Sequence, residues 1–146
     1  MTAATLTRRI AARREIVFEA LVTAEGIASW YGPADIPAIS AASDPRVGGH
    51  FEARFRTTDG LEHVCAGEFL EMVRPERLVM SWRWVVGGEP DEQGRVSRVE
   101  FRLRTIDIGT ELTLVHGELY TELSARSHES GWSDALVKLT RLGGPI

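Results

Sequence analysis

The two ends of the chain differ in period from everything between them, and that contrast limits the fold more than any other feature. Residues 14–22 carry Val17, Phe18, Leu21 and Val22 at helical spacing. A joint at Thr23, Ala24, Glu25 and Gly26 follows, with Thr23 suited to cap a second short helix that Gly32 and Pro33 stop. From residue 122 the period is helical again: Trp132, Leu136 and Leu139 fall at i, i+4 and i+7. Gly143, Gly144 and Pro145 read as the end of that helix.

The middle of the chain alternates with period two. Residues 5–10 read as a first strand. Phe51, Ala53 and Phe55 share one face of a strand, and the Asp59-Gly60 pair marks its hairpin turn. Residues 61–73 return, with Gly67 placed as a bulge. Leu78, Met80, Trp82 and Trp84 share the next inward face, then Val99, Phe101 and Leu103, then Leu112 and Leu114. Residues 87–94, polar and rich in glycine, read as a mobile surface loop. The fold class is therefore α+β: a curved antiparallel sheet wrapped around a long C-terminal helix, with two short helices near the N-terminus. Residues 1–146 read as one domain, since no repeat or linker divides them.

Composition excludes several functions. A formal charge of -4 argues against nucleic acid as a partner. No apolar run is long enough for membrane insertion, and the first residues lack the apolar centre of a secretory signal, which places the chain in the cytoplasm. A lone cysteine, Cys65, excludes an internal disulfide and a thiolate metal cluster; between Val64 and Ala66 it reads as a buried structural thiol. All but one of the 17 basic residues are arginine, the exception being Lys138.

The chemistry-bearing candidates converge between the sheet and the terminal helix. Trp30, Phe51, Phe55, Trp82, Trp84 and Trp132 either line a ligand cavity or fill a core, with Met80 and Leu136 beside them. His116 is the candidate polar anchor of such a cavity. The bland reading makes it a satisfied strand-end residue and His128 a helix-start residue in solvent. His50, His63, His116 and His128 lack the paired spacing of a metal site, so neither metal nor cofactor is expected. Glu68, Glu71, Glu118, Glu122 and Asp134 read as solvated faces or ion-pair partners.

The order of these landmarks resembles a known family. Residues 13–21, then Trp30, Tyr31, Gly32 and Pro33, then residues 44–49, residues 73–78, and Gly131 and Trp132 with Leu136 look like activator-of-heat-shock-protein-90-ATPase homologue (AHSA-like) domains. That family belongs to the START-like, Bet v 1-like and polyketide-cyclase (SRPBCC) superfamily. The resemblance implies the helix-grip fold and a hydrophobic cavity. The leading function it leaves is binding of an apolar or amphipathic small molecule, with no catalytic residue assigned. The alternatives are a cyclase- or hydratase-like enzyme using a cavity histidine or carboxylate, and a co-chaperone-like interaction module in a stress response. A homodimer and a chaperone contact stay open as partners. The founding co-chaperones carry a further N-terminal domain, so their activity is not expected to carry over.

Overall fold

Alternation along the strands places one apolar row of each against a common core. The computed structural model describes residues 2–143; Gly144 and Pro145 of the expected helix end lie outside them. The chain runs β1 (Thr2–Ile10), α1 (Arg14–Val22), α2 (Ala24–Trp30), β2 (Ser40–Ser43), β3 (His50–Arg56), β4 (Glu62–Val73), β5 (Arg77–Val86), β6 (Ser97–Ile106), β7 (Gly109–Leu119) and α3 (Glu122–Thr140). The strands form one antiparallel sheet in the order β1-β7-β6-β5-β4-β3-β2.

Phe51, Ala53 and Phe55 of β3, Val99, Phe101 and Leu103 of β6, and Leu112 and Leu114 of β7 all face inward and are buried. On the outer face glutamates and arginines pair across strands, as in Arg77–Glu71 at 2.6 Å and Arg104–Glu111 at 2.9 Å. Such exposed pairs contribute about 0–1 kcal/mol each, so the inner face carries the stability.

The helices close the concave side. Thr23 caps α2 through its Oγ1, which accepts from the Gly26 N–H at 3.0 Å. The Trp30 Nε1–H donates to the Ala20 carbonyl at 2.9 Å and ties α2 to α1. Thr121 caps α3 in the same way, accepting from the Ser124 N–H at 3.0 Å. The helix buries Ala125, His128, Trp132, Ala135, Leu136 and Leu139, an i, i+3, i+4 stripe. Among the described residues no helix is long and apolar enough to cross a membrane.

Gly67 is not itself a bulge. The register of β4 against β5 shifts on either side of it, between Val64 and Cys65 and between Phe69 and Glu71. What fixes glycine there is a close approach: a Cβ would stand 1.9 Å from the Ser81 carbonyl oxygen and 2.8 Å from the Phe51 ring. Gly67→Ala therefore forces β4 and β5 apart and is expected to cost about 1–3 kcal/mol, readable as a lowered Tm by circular dichroism. Gly117, whose Cβ would meet nothing within 4 Å, is the control. Equal effects of Gly67→Ala and Gly117→Ala would remove the close-approach argument.

Candidate functional site

The hollow of this fold originates in a run of small residues on α3. Ser127, Gly131 and Ala135 recur four residues apart and fall on one side of the helix, opposite large rings on the sheet. Where they face the sheet they leave a cavity of about 210 Å³. Tyr31, Phe55, Trp82, Trp84 and Trp132 form its walls, and Gly32, Pro33, Thr57, His63, Gly88, Glu89, His128 and Asp134 complete the lining. The volume exceeds the roughly 150 Å³ of an apolar cavity that admits benzene and falls below the roughly 300 Å³ at which drug-sized pockets begin. One or two rings, or a short branched chain, match that space. Wider grooves of about 490 Å³ between β1 and α3, and about 660 Å³ beside the start of α1, are more open and have no aromatic wall.

Most of the wall rings stand at steep angles to one another. Trp82 and Trp84 meet at 87° with centroids 5.8 Å apart, Trp82 and Trp132 at 57° and 4.9 Å, and Phe55 and Trp84 at 63° and 6.1 Å. Tyr31 lies parallel to Trp82 at 6.0 Å and edge-on to Trp132. These are the edge-to-face and offset arrangements that aromatic quadrupoles favour.

Behind the Trp82 and Trp132 walls lies a buried polar layer. The Trp132 Nε1–H donates to His116 Nδ1 at 3.0 Å, which leaves the proton of the neutral ring on Nε2. His116 Nε2–H then donates to Ser97 Oγ at 2.7 Å, and the Ser97 hydroxyl donates to the Trp82 carbonyl at 3.4 Å. Both ring nitrogens are engaged, so His116 has no lone pair free for a substrate. Burial first, and the neighbouring His128 second, push its pKa well below the ordinary imidazole value. The two rings lie 4.3 Å apart.

His128 is buried at 6% exposure on the second turn of α3, not in solvent at the helix start. Burial lowers its pKa, while Glu92, Glu89 and Asp91 pull the other way. These three carboxylates belong to the segment 87–94, expected as a mobile surface loop. It contains a 3-10 turn over Pro90–Glu92 and is bound to the first turns of α3. Glu92 accepts from the Tyr120 N–H and the Ser124 hydroxyl, each at 2.8 Å; Asp91 accepts from the Thr121 hydroxyl at 2.6 Å; Glu89 accepts from Ser127. Carboxylates suit this place, since the N-terminal turn of a helix presents unpaired N–H groups and partial positive charge.

His63 fastens the same segment from the other side. Its Nδ1 accepts from the Gly88 N–H at 2.8 Å, and its Nε2 meets Thr57 Oγ1 at 3.0 Å. Gly88 adopts φ of 79° directly over Trp84, where a Cβ would come within 2.2 Å of the indole. Cys65 is fully buried, and burial raises its thiol far above the ordinary value, so it offers no nucleophile. Among the described residues no group of three His, Cys, Asp or Glu side chains could hold a metal ion.

Of the residues singled out from the sequence, Phe55, Trp82, Trp84 and Trp132 stand on the cavity wall. Trp30, Phe51, Met80 and Leu136 are packed in the core away from it, and His116 lies behind it. The inward face of a strand names which side chains turn from solvent; it does not say where the opposite helix leaves space. Tyr31, His63, Glu89 and Gly131 were missed, and His128, weighed as a residue of the cavity mouth but read as a solvent residue, is part of the lining. The spacing of Ser127, Gly131 and Ala135 was the available signal for the helix side.

Four buried polar atoms without a protein partner belong to residues of this lining: Tyr31 OH, Trp82 Nε1, Trp84 Nε1 and His128 Nε2. A buried polar atom left unpaired costs about 1–3 kcal/mol, so each of these groups calls for a partner.

A seven-stranded antiparallel sheet curved around one long helix, with a hollow at their contact, defines a helix-grip protein of the START-like superfamily. Within that class, residues 11–144 match the family described as Activator of Hsp90 ATPase homolog 1-like protein, and the chain belongs to that family. No curated protein matches the sequence. Among solved structures, a protein from Chromobacterium violaceum is 25% identical over 99% of this chain and 98% of its own, with a TM-score of 0.83. The AHSA1 protein from Silicibacter pomeroyi is 23% identical over 97% and 96%, with a TM-score of 0.79. A Mycobacterium smegmatis protein is 19% identical over 99% and 91%, with a TM-score of 0.80.

Proposed function

We propose that the protein, acting as one cytoplasmic domain, binds a small amphipathic molecule between its sheet and its terminal helix. The observation that carries this reading is the roughly 210 Å³ hollow walled by five aromatic rings. An apolar body of one or two rings would bury its faces against Trp82, Trp84 and Trp132. The engagement of both His116 nitrogens supports binding over base catalysis.

Gly131 gives the test. Glycine within a helix costs about 1 kcal/mol relative to alanine, yet here it stands mid-α3 on the cavity lining with open space where a Cβ would be. Gly131→Ala should raise stability by about 0.5–1 kcal/mol. Gly131→Phe should keep the fold and block the cavity. Titration with 2-naphthol, followed by the indole N–H signals in NMR, should shift Trp82, Trp84 and Trp132 and leave Trp30, which bonds Ala20, nearly unmoved. In Gly131→Phe affinity should fall about tenfold or more. Undiminished binding in that variant, or an equal shift of all four indoles, would refute the cavity as the binding site.

A further inference from the structure

We infer that the occupant carries a positive charge: the cavity is suited to an organic ammonium ion. This rests on the binding reading above and adds the charge of the ligand to it.

The lining contains no lysine or arginine. It contains two carboxylates, Glu89 and Asp134, and two more, Asp91 and Glu92, stand close enough for their charge to act on His128. His128 adds no positive charge of its own, because burial favours its neutral form. Lys138 is the one lysine of the chain. Its Nζ is turned to the carbonyls of Tyr31 and Ile36, at 2.7 and 2.9 Å; it is not part of the lining, though it lies close enough to Asp134 to feel that charge, which leaves Glu89 as the stronger contributor to the field. A carboxylate or sulfonate ligand would enter a negative field with no guanidinium or ammonium to receive it, only the neutral donors of Tyr31, Trp82 and Trp84. A cation would enter the same field with attraction.

The walls point the same way. Aromatic faces attract cations, indole most strongly, and the attraction grows as water is excluded. Tyr31, Trp82, Trp84, Trp132 and Phe55 meet at angles of 57° to 87° around this one space. Among the described residues the protein's own cation–π pairs lie elsewhere, Arg74 over Phe18 and Arg95 over Tyr120, so no side-chain cation occupies the cavity rings. Acidic groups at the rim of an aromatic box are the chemistry that recognises methylated or alkylated ammonium groups.

Three probes of one shape and three charges test this: phenyltrimethylammonium, its uncharged isostere tert-butylbenzene, and benzenesulfonate. Each is titrated into the full chain and followed by the indole N–H signals. The cation should bind about tenfold tighter than the isostere, and the sulfonate weakest. In the Glu89→Gln, Asp134→Asn variant the ratio of the cation's affinity to the isostere's should shrink several-fold. Glutamine at 89 can still accept from Ser127, so the segment stays in place. Equal affinities for cation and isostere, or preference for the sulfonate, overturn the charge assignment and leave the cavity reading standing. Failure of all three probes and of 2-naphthol to move Trp84 or Trp132 overturns both.

Discussion

Trp132→Ala should lower the unfolding free energy by about 3–5 kcal/mol, the range for emptying a large aromatic site in a packed interior. Trp132 is 5% exposed and meets Trp30, Tyr31, Trp82, Phe101 and His116 with ring centroids 4.9 to 6.1 Å away. Its indole also supplies the single N–H that satisfies His116 Nδ1. Trp132→Phe separates these two contributions. It keeps most of the ring contact but strands a buried acceptor, so it should cost about 1–3 kcal/mol. Urea denaturation at pH 8 should therefore rank wild type above Trp132→Phe and Trp132→Ala last. A Trp132→Phe cost no larger than that of a surface substitution would mean that the bond to His116 adds nothing to stability.

This residue also marks where sequence reading succeeds and where it stops. The i, i+4, i+7 spacing of Trp132, Leu136 and Leu139 placed the helix and its buried side, and both are as expected. Carried one step back, the same spacing reaches His128. The bland reading put it in solvent at the helix start, yet it lies on the buried stripe. Histidine is ambiguous in this way because a neutral imidazole packs like an aromatic ring once its partners are in place.

The strands were legible for a similar reason: one face is buried, so alternation is strict along β3, β6 and β7. It failed along β4, where Val64, Cys65, Ala66 and Gly67 are buried in succession because the strand bends there. Non-local matters stayed hidden. Residues 87–94 read as a mobile loop because the partners of Asp91, Glu92 and Glu89, namely Thr121, Ser124 and Ser127, lie 30 to 38 positions away. Phe51 and Met80 share the inward face with Trp82, yet only Trp82 borders the hollow. Which inward ring meets a cavity depends on the size of the residue across from it, and that pairing is set by the fold.

Acid should unfold the protein through the two buried histidines. His116 and His128 both hold pKa values below the ordinary 6.5, chiefly because burial penalises the charged ring. The unfolded chain takes up these protons near pH 6.5 while the folded chain refuses them. The stabilisation is therefore complete above that pH and is lost as pH falls through the folded-state values. Each group can contribute up to about 1.4 kcal/mol per pH unit in that window. As pH falls below 6.5, His116 should cost more than His128, because Glu92, Glu89 and Asp91 soften the shift of His128. Losses on that scale count against the roughly 5–15 kcal/mol that holds a domain folded. Urea midpoints at pH 8, 7, 6 and 5 should fall steeply below 6.5 in the wild type and more gently in the His116→Gln, His128→Gln variant. Parallel pH profiles in the two proteins would assign the acid sensitivity to carboxylates instead. Trp132→Phe adds a discriminating case. With the indole N–H gone, Nδ1 of His116 can hold a proton without a clash of donors, so its profile should lie between the other two.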